Sequence, residues 1–188
     1  MNNLVLRNPG KKAAIYILLC MLQTLSFAQK KYDLVIIGGT PGGITTAIAA
    51  AREGKTSVIL ERTDYIGGLP VNGLGATDIA TRGATTGLFN KFVNNIKAYY
   101  VDKYGKNSKQ VKDCSDGYHF EPHVANIIFN NMLEKEQDKI EILTMRQFDV
   151  KDENITIKEQ EIKKIRIYNR ITKKHETYIG KIFVDATY

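Results

Sequence analysis

A glycine-rich run, Gly38-Gly39-Thr40-Pro41-Gly42-Gly43, and a carboxylate downstream at Glu61 are the residue types that bind a pyrophosphate and a ribose. Glycines let backbone N–H groups approach phosphate oxygens at a helix N-terminus, where the dipole end is positive. A carboxylate at the end of the following strand accepts ribose hydroxyls and repels a ribose 2′-phosphate, which disfavours NADP as the ligand. The glycine pattern is imperfect: Gly38 and Gly43 hold the outer positions of G-x-G-x-x-G, but Thr40 holds the middle one. Its hydroxyl offers a donor to a phosphate oxygen in place of the missing close approach.

These residues need a strand, a tight turn, a helix and a second strand to position them. Leu34 to Ile37 is a short β-branched run of the kind buried on both faces of a parallel sheet. From Ile44 through Arg52 the residues are mostly Ala, Ile and Thr, small enough for a helix to lie close to a sheet, with Gly54 as its stop. Ser57 to Leu60 then reads as the second strand, closing on Glu61.

The N-terminus carries Arg7, Lys11 and Lys12 ahead of an uncharged stretch from Ala13 to Phe27 and a small-residue end, Ser26-Phe27-Ala28. This layout predicts a signal peptide over residues 1–28, an exported protein of the periplasm or exterior, and no stable membrane span after cleavage. Removing those residues takes the formal charge from +7 to +4 and leaves Cys114 as the single cysteine, which excludes an intrachain disulfide. The remaining lysines are scattered among acids without aromatic interleaving, which argues against a nucleic-acid partner. No His, Cys or acid cluster has metal-ligand spacing, so no metal is expected.

Downstream, residues 62–87 are rich in Gly and Thr without helical or alternating period, the mark of a functional loop. Phe89, Phe92, Val93, Ile96 and Tyr100 define the core stripe of a helix over 88–104, and residues 105–117 read as a polar surface loop. Glu121-Pro122 opens another helix, with Val124, Ile127, Ile128 and Met132 on one face. Ile140 to Leu143 resumes the parallel sheet; Ile155, Ile157, Ile165 and Ile167 alternate as an antiparallel meander, and Lys181 to Asp185 returns as a buried strand. His119 and His123 invite an acid–base role, and Asp78 a position beside a substrate. Each has a blander reading, as a histidine beside a helix start or an aspartate in a turn, and the catalytic residues stay unknown.

Four segments, DLVIIGGTPGGITTAIAAAREG, ILERTDYIGGLPVNGLGATD, HFEPHVANIIFNNML and KIFVDATY, occur in an order that resembles FAD-dependent oxidoreductases of the glutathione-reductase type. The chain is particularly similar to an exported bacterial group related to xanthan-lyase-like proteins. The resemblance implies an α/β fold, a Rossmann-type parallel sheet with an antiparallel β-meander, spanning residues 30–188 and incomplete at its C-terminus. It implies FAD as cofactor, with Gly38, Gly39, Thr40, Pro41, Gly42 and Gly43 at the pyrophosphate and Glu61 and Arg62 at the ribose. Gly67 and Gly68 would let a loop run along the flavin side, and the backbone around Phe148 would cover the adenine. The implied substrate is an unknown small or carbohydrate-related molecule, completed by a missing C-terminal portion. The residues alone leave open a non-catalytic dinucleotide-binding fragment and a small NAD-dependent dehydrogenase.

Overall fold

The computed structural model describes residues 31–188, so the expected leader over residues 1–28 lies outside the described residues. Strand β1 (Lys31–Ile37) runs into helix α1 (Pro41–Arg52) and then β2 (Ser57–Leu60). After an irregular loop come α2 (Gly87–Tyr104), α3 (Lys109–Asp113), α4 (Pro122–Glu134) and β3 (Ile140–Leu143). The chain ends in β4 (Arg146–Gln147), β5 (Ile155–Lys158), β6 (Glu161–Asn169) and β7 (Lys174–Asp185).

One seven-stranded sheet holds them in the order β3-β2-β1-β7-β6-β4, with β5 paired to β6. β3, β2, β1 and the second half of β7 are parallel, while β6 runs antiparallel to β7, β5 and β4. The sheet is therefore a Rossmann-type parallel core joined to an antiparallel meander, as the sequence implies. Val35, Ile36, Val58 and Ile59 are fully buried because helices cover one face and the meander the other. Two apolar clusters result: Ile36, Ile44, Ile59, Ile96 and Val124 on the helical side, and Val35, Val58, Ile165 and Ile167 on the meander side.

The strand expected over Lys181 to Asp185 proves to be the second half of one twelve-residue strand, β7. Its first half pairs with β6 and its second with β1, the two registers meeting at Ile179. Gly180 sits at this switch, where an added Cβ would stand 2.7 Å from the Val35 side chain. The glycine that allows the close approach also interrupts the apolar run, which is why the sequence reads as two elements.

Three smaller expectations are corrected. Residues 105–117 are not all loop: the Ser108 hydroxyl accepts from Val111 N at 3.2 Å and caps α3, and Cys114 is buried with its thiol donating to the Val111 carbonyl. Helix α1 starts at Pro41, because Thr40 caps it and Pro is tolerated in the first turn. Ile127 falls off the buried face of α4; Ala125, Phe129 and Leu133 accompany Val124, Ile128 and Met132 instead.

At the meander, Glu176 accepts from Tyr178 Oη at 2.5 Å, Asn169 Nδ2 at 2.5 Å and Arg146 Nε and Nη2 at 3.1 and 3.2 Å. Burial raises the Glu176 pKa, but the hydrogen bonds from Tyr178, Asn169 and Arg146 outweigh it and hold the carboxyl below the ordinary glutamate range. The resulting stabilisation is complete above the unfolded pKa and is lost as pH falls through the lowered folded value. Glu176→Gln is therefore expected to melt below the wild type at pH 7, with the gap in Tm closing towards pH 3, a comparison made by thermal melts across that range.

Candidate cofactor-binding site

The site is built where β1, β2 and β7 end together on the edge of the sheet from which α1 departs. Gly38, at φ +101°, takes the chain off β1; a Cβ there would stand 2.6 Å from the Ala186 carbonyl oxygen. Thr40 caps α1 by accepting from Gly43 N at 3.3 Å, and its own hydroxyl donates to Ala186 O at 2.7 Å. That hydrogen is already used within the chain, so the phosphate donor anticipated in the Thr40 side chain is not free. Backbone N–H groups take its place: Thr40 N and Gly42 N have no acceptor among the described residues. Gly43 lets α1 lie against the sheet, since a Cβ would fall 2.1 Å from Gly38 O.

Glu61 is 7% exposed and accepts from Gly39 N at 2.7 Å through Oε2 and from Thr63 N and Oγ1, both at 2.8 Å, through Oε1. These three bonds use most of the roughly four acceptor directions of a carboxylate, leaving about one for a ribose hydroxyl rather than two. The loop after Glu61 is tied down in turn: Arg146 N donates to Glu61 O, Met145 N to Thr63 O and Arg170 Nη1 to Arg62 O. Gly67 N donates to Gly39 O at 2.6 Å, which brings the second glycine loop against the first. The Tyr188 hydroxyl accepts from Leu69 N and lies over Gly68, where no side chain would fit.

A cleft of about 540 Å³ opens between these loops and the start of the meander, within the size range of small-molecule sites. Of the residues singled out from sequence, Gly38, Thr40, Glu61, Arg62, Gly68 and Phe148 line it. Gly39, Gly43 and Gly67 lie behind its wall as hinge and spacer positions, while Pro41 and Gly42 line a second, apolar cavity on the other side of α1. The wall also includes Thr63, Asn72, Arg146 and Tyr188, which motif reading does not single out because their positions depend on loop closure. Asp185, held below the ordinary aspartate range by the Thr187 hydroxyl and then its N–H, closes the β7 end.

The acid–base candidates do not enter this cleft. His119 is exposed and pairs through its backbone with Ala76, and Asp78 is exposed in the same loop at φ +51°. His123 lies in the first turn of α4, exposed and outside both cavities. Among the described residues no group of three His, Cys, Asp or Glu could hold a metal, and no helix is long and apolar enough to cross a membrane.

A profile of the FAD dependent oxidoreductase family matches residues 33–188. The chain belongs to this family. A soluble pyridine nucleotide transhydrogenase of Mycobacterium tuberculosis is 49% identical over 44 residues, 23% of this chain and 9% of that protein. The chain thus spans under a tenth of the relative's length. Among solved structures, Thermovibrio ammonificans THI4 aligns over 99% of this chain and 67% of its own at 18% identity and TM-score 0.53. The glycerol-3-phosphate dehydrogenase of Bacillus halodurans, solved with FAD, aligns over 85% and 35% at 15% identity and TM-score 0.52. At these identities the structural likeness shows the fold alone.

Two substitutions separate the cleft's backbone from its acid. Gly43→Ala drives a methyl into Gly38 O and is expected to cost about 3 kcal/mol in urea unfolding. Glu61→Ala leaves the buried Gly39 N and the half-buried Thr63 N without an acceptor, an expected loss of about 2 to 4 kcal/mol in the same measurement.

Proposed function

We propose that the chain is the cofactor-binding part of an exported FAD-dependent oxidoreductase acting on a small molecule, and that a further portion of the protein completes the substrate side. The observation that carries this reading is the unpaired donor Thr40 N, in the cleft wall at the N-terminus of the twelve-residue α1, beside a buried acid with acceptor capacity left. That arrangement fits a dinucleotide: Thr40 N and the positive end of the α1 dipole meet the pyrophosphate, Glu61 takes a ribose hydroxyl, and Arg62 borders the ribose. Phe148, with the flanking backbone of Gln147 and Asp149, walls the adenine end.

FAD, when bound, supplies the hydride and electron chemistry. The chain's own residues orient the cofactor and exclude water from its phosphate side. Gly38 and Thr40 bring backbone to the phosphates, while Glu61 holds Gly39 N at 2.7 Å, away from them. The dipole of α1 neutralises part of the pyrophosphate charge without a lysine or arginine at the loop.

Export to the periplasm or exterior rests on the basic, apolar and small-residue order of residues 1–28. Mass measurement of the protein recovered from the cell envelope would show a chain starting at Gln29; a chain retaining Met1 in the cytoplasm would refute export.

Purified protein incubated with excess FAD and freed of unbound cofactor is expected to retain flavin absorbance bands, and Glu61→Ala to weaken retention at least about tenfold. Retention of NAD with no flavin colour would replace this reading with a nicotinamide-dependent one. A folded protein that keeps neither would make it a non-catalytic fragment.

A further inference from the structure

Tyr188 lines the cleft together with Gly68, Asn72 and Thr187. Its hydroxyl accepts from Leu69 N, and that N–H has no other acceptor among the described residues. A Cβ at Gly68 would fall on the phenol oxygen and stand 3.1 Å from Pro41 Cδ, so the contact sits beside the first residue of α1, whereas Phe148 lines the cleft from the start of the meander. Little else holds the ring. Tyr188 is 77% exposed and makes no second hydrogen bond among the described residues. The strand end before it is pinned, by Ala186 N on Ile37 O at 2.8 Å and Thr187 N on Asp185 Oδ1 at 3.0 Å, so the side chain is free to swing while the backbone behind it stays. The facing loop keeps its shape without the phenol. Gly67 N donates to Gly39 O at 2.6 Å, Asn72 Nδ2 and N donate to Gly68 O at 2.8 and 3.1 Å, and Tyr65 Oη donates to Asn72 Oδ1 at 2.6 Å. Leu69 N is therefore a fixed donor with a removable acceptor.

We propose that Tyr188 is a latch that selects ligands by length: its phenol oxygen holds Leu69 N until a dinucleotide extending past its pyrophosphate displaces it, and a ligand that stops at the pyrophosphate leaves it closed. The latch rests on the dinucleotide reading of the cleft given above. With the adenosine at Glu61 and Phe148 and the phosphates at Thr40 N, the rest of the ligand continues past the start of α1, where Gly68 and Tyr188 stand. A hydrogen bond from one exposed phenol is replaced by a ligand oxygen at little net cost. The apparent dissociation constant of the longer ligand is its intrinsic one divided by the fraction of molecules with the latch open.

Amide spectra of the full chain labelled with ¹⁵N-leucine read the latch at Leu69. ADP, which ends at the pyrophosphate, is expected to leave the Leu69 amide unmoved, and FAD to shift it. Tyr188→Phe removes the acceptor and keeps the ring. Exchange of the Leu69 amide with water should then rise about tenfold in the free chain, and FAD should bind about threefold to tenfold tighter while ADP keeps its Kd. Equal or weaker FAD binding by Tyr188→Phe overturns the latch, as does a Leu69 amide that FAD leaves unmoved, that ADP shifts as far, or whose exchange ignores the substitution. The flavin reading fails separately. Binding of ADP but not FAD by both chains refutes it, and NAD, which also extends past its pyrophosphate, then decides the latch by the same two readouts. A folded chain that binds none of the three overturns both.

Discussion

The buried carboxylate of Glu61 is the point through which the cleft is assembled. It closes β2, the central parallel strand beside β1, and from there one oxygen holds the phosphate loop through Gly39 N while the other holds the departing loop through Thr63. Its own backbone extends the arrangement, since Glu61 N donates to Leu143 O and Glu61 O accepts from Arg146 N. Three chain segments far apart in sequence thus meet at one residue that is almost without contact to water. An acid in that position carries a desolvation cost unless every neighbour presents a donor. Here the neighbours do, and the geometry of the loops is the consequence.

The second organising constraint is β7. By pairing with β6 in its first half and β1 in its second, it makes the meander and the parallel sheet one continuous layer. Its end delivers Ala186, whose N–H donates to Ile37 O and whose carbonyl accepts from the Thr40 hydroxyl. The cap of α1 is therefore set by a residue 146 positions away, and the orientation of the helix dipole toward the cleft depends on the sheet being complete. Arg146 and Glu176 lock the other end of the same layer beside the cleft wall, with the Arg146 side chain 15% exposed.

Much of this was legible in sequence because local physics wrote it there. The β-branched run before Gly38, the small residues of α1 and the acid after β2 mark the βαβ unit without any tertiary information, and the stripe from Phe92 to Tyr100 marks α2. What escaped reading was long-range. Only the Lys181 to Asp185 half of β7 was read as a strand, because Gly180, whose lack of a side chain serves a contact with Val35 across the sheet, breaks the apolar run. Thr40 looked like a phosphate donor because its partner, Ala186, cannot be foreseen from the loop alone. Ser108 did carry a local signal for α3, a capping serine three residues before Val111, but the surrounding lysines masked it as loop. Tyr188 and Arg146 enter the cleft wall only because loops close over them, and no spacing rule encodes that.

The helix α1 divides two environments of opposite character, and the division follows from its composition. On the sheet side its first turn must approach β1 and β7 closely, so only glycine fits at position 43 under Gly38 O, and Thr40, with its unpaired N–H, lines a cleft with Arg62, Arg146, Asp149 and Asp185 in its walls. On the other side Pro41 and Gly42 present no side-chain polar atom at all, and α2 and α4 bring phenylalanines against them. A proline at the first turn serves both sides, since it fixes the backbone for the cap and replaces an N–H that would otherwise point toward carbon. One helix start thereby separates a charged half from an apolar half over the width of a single turn.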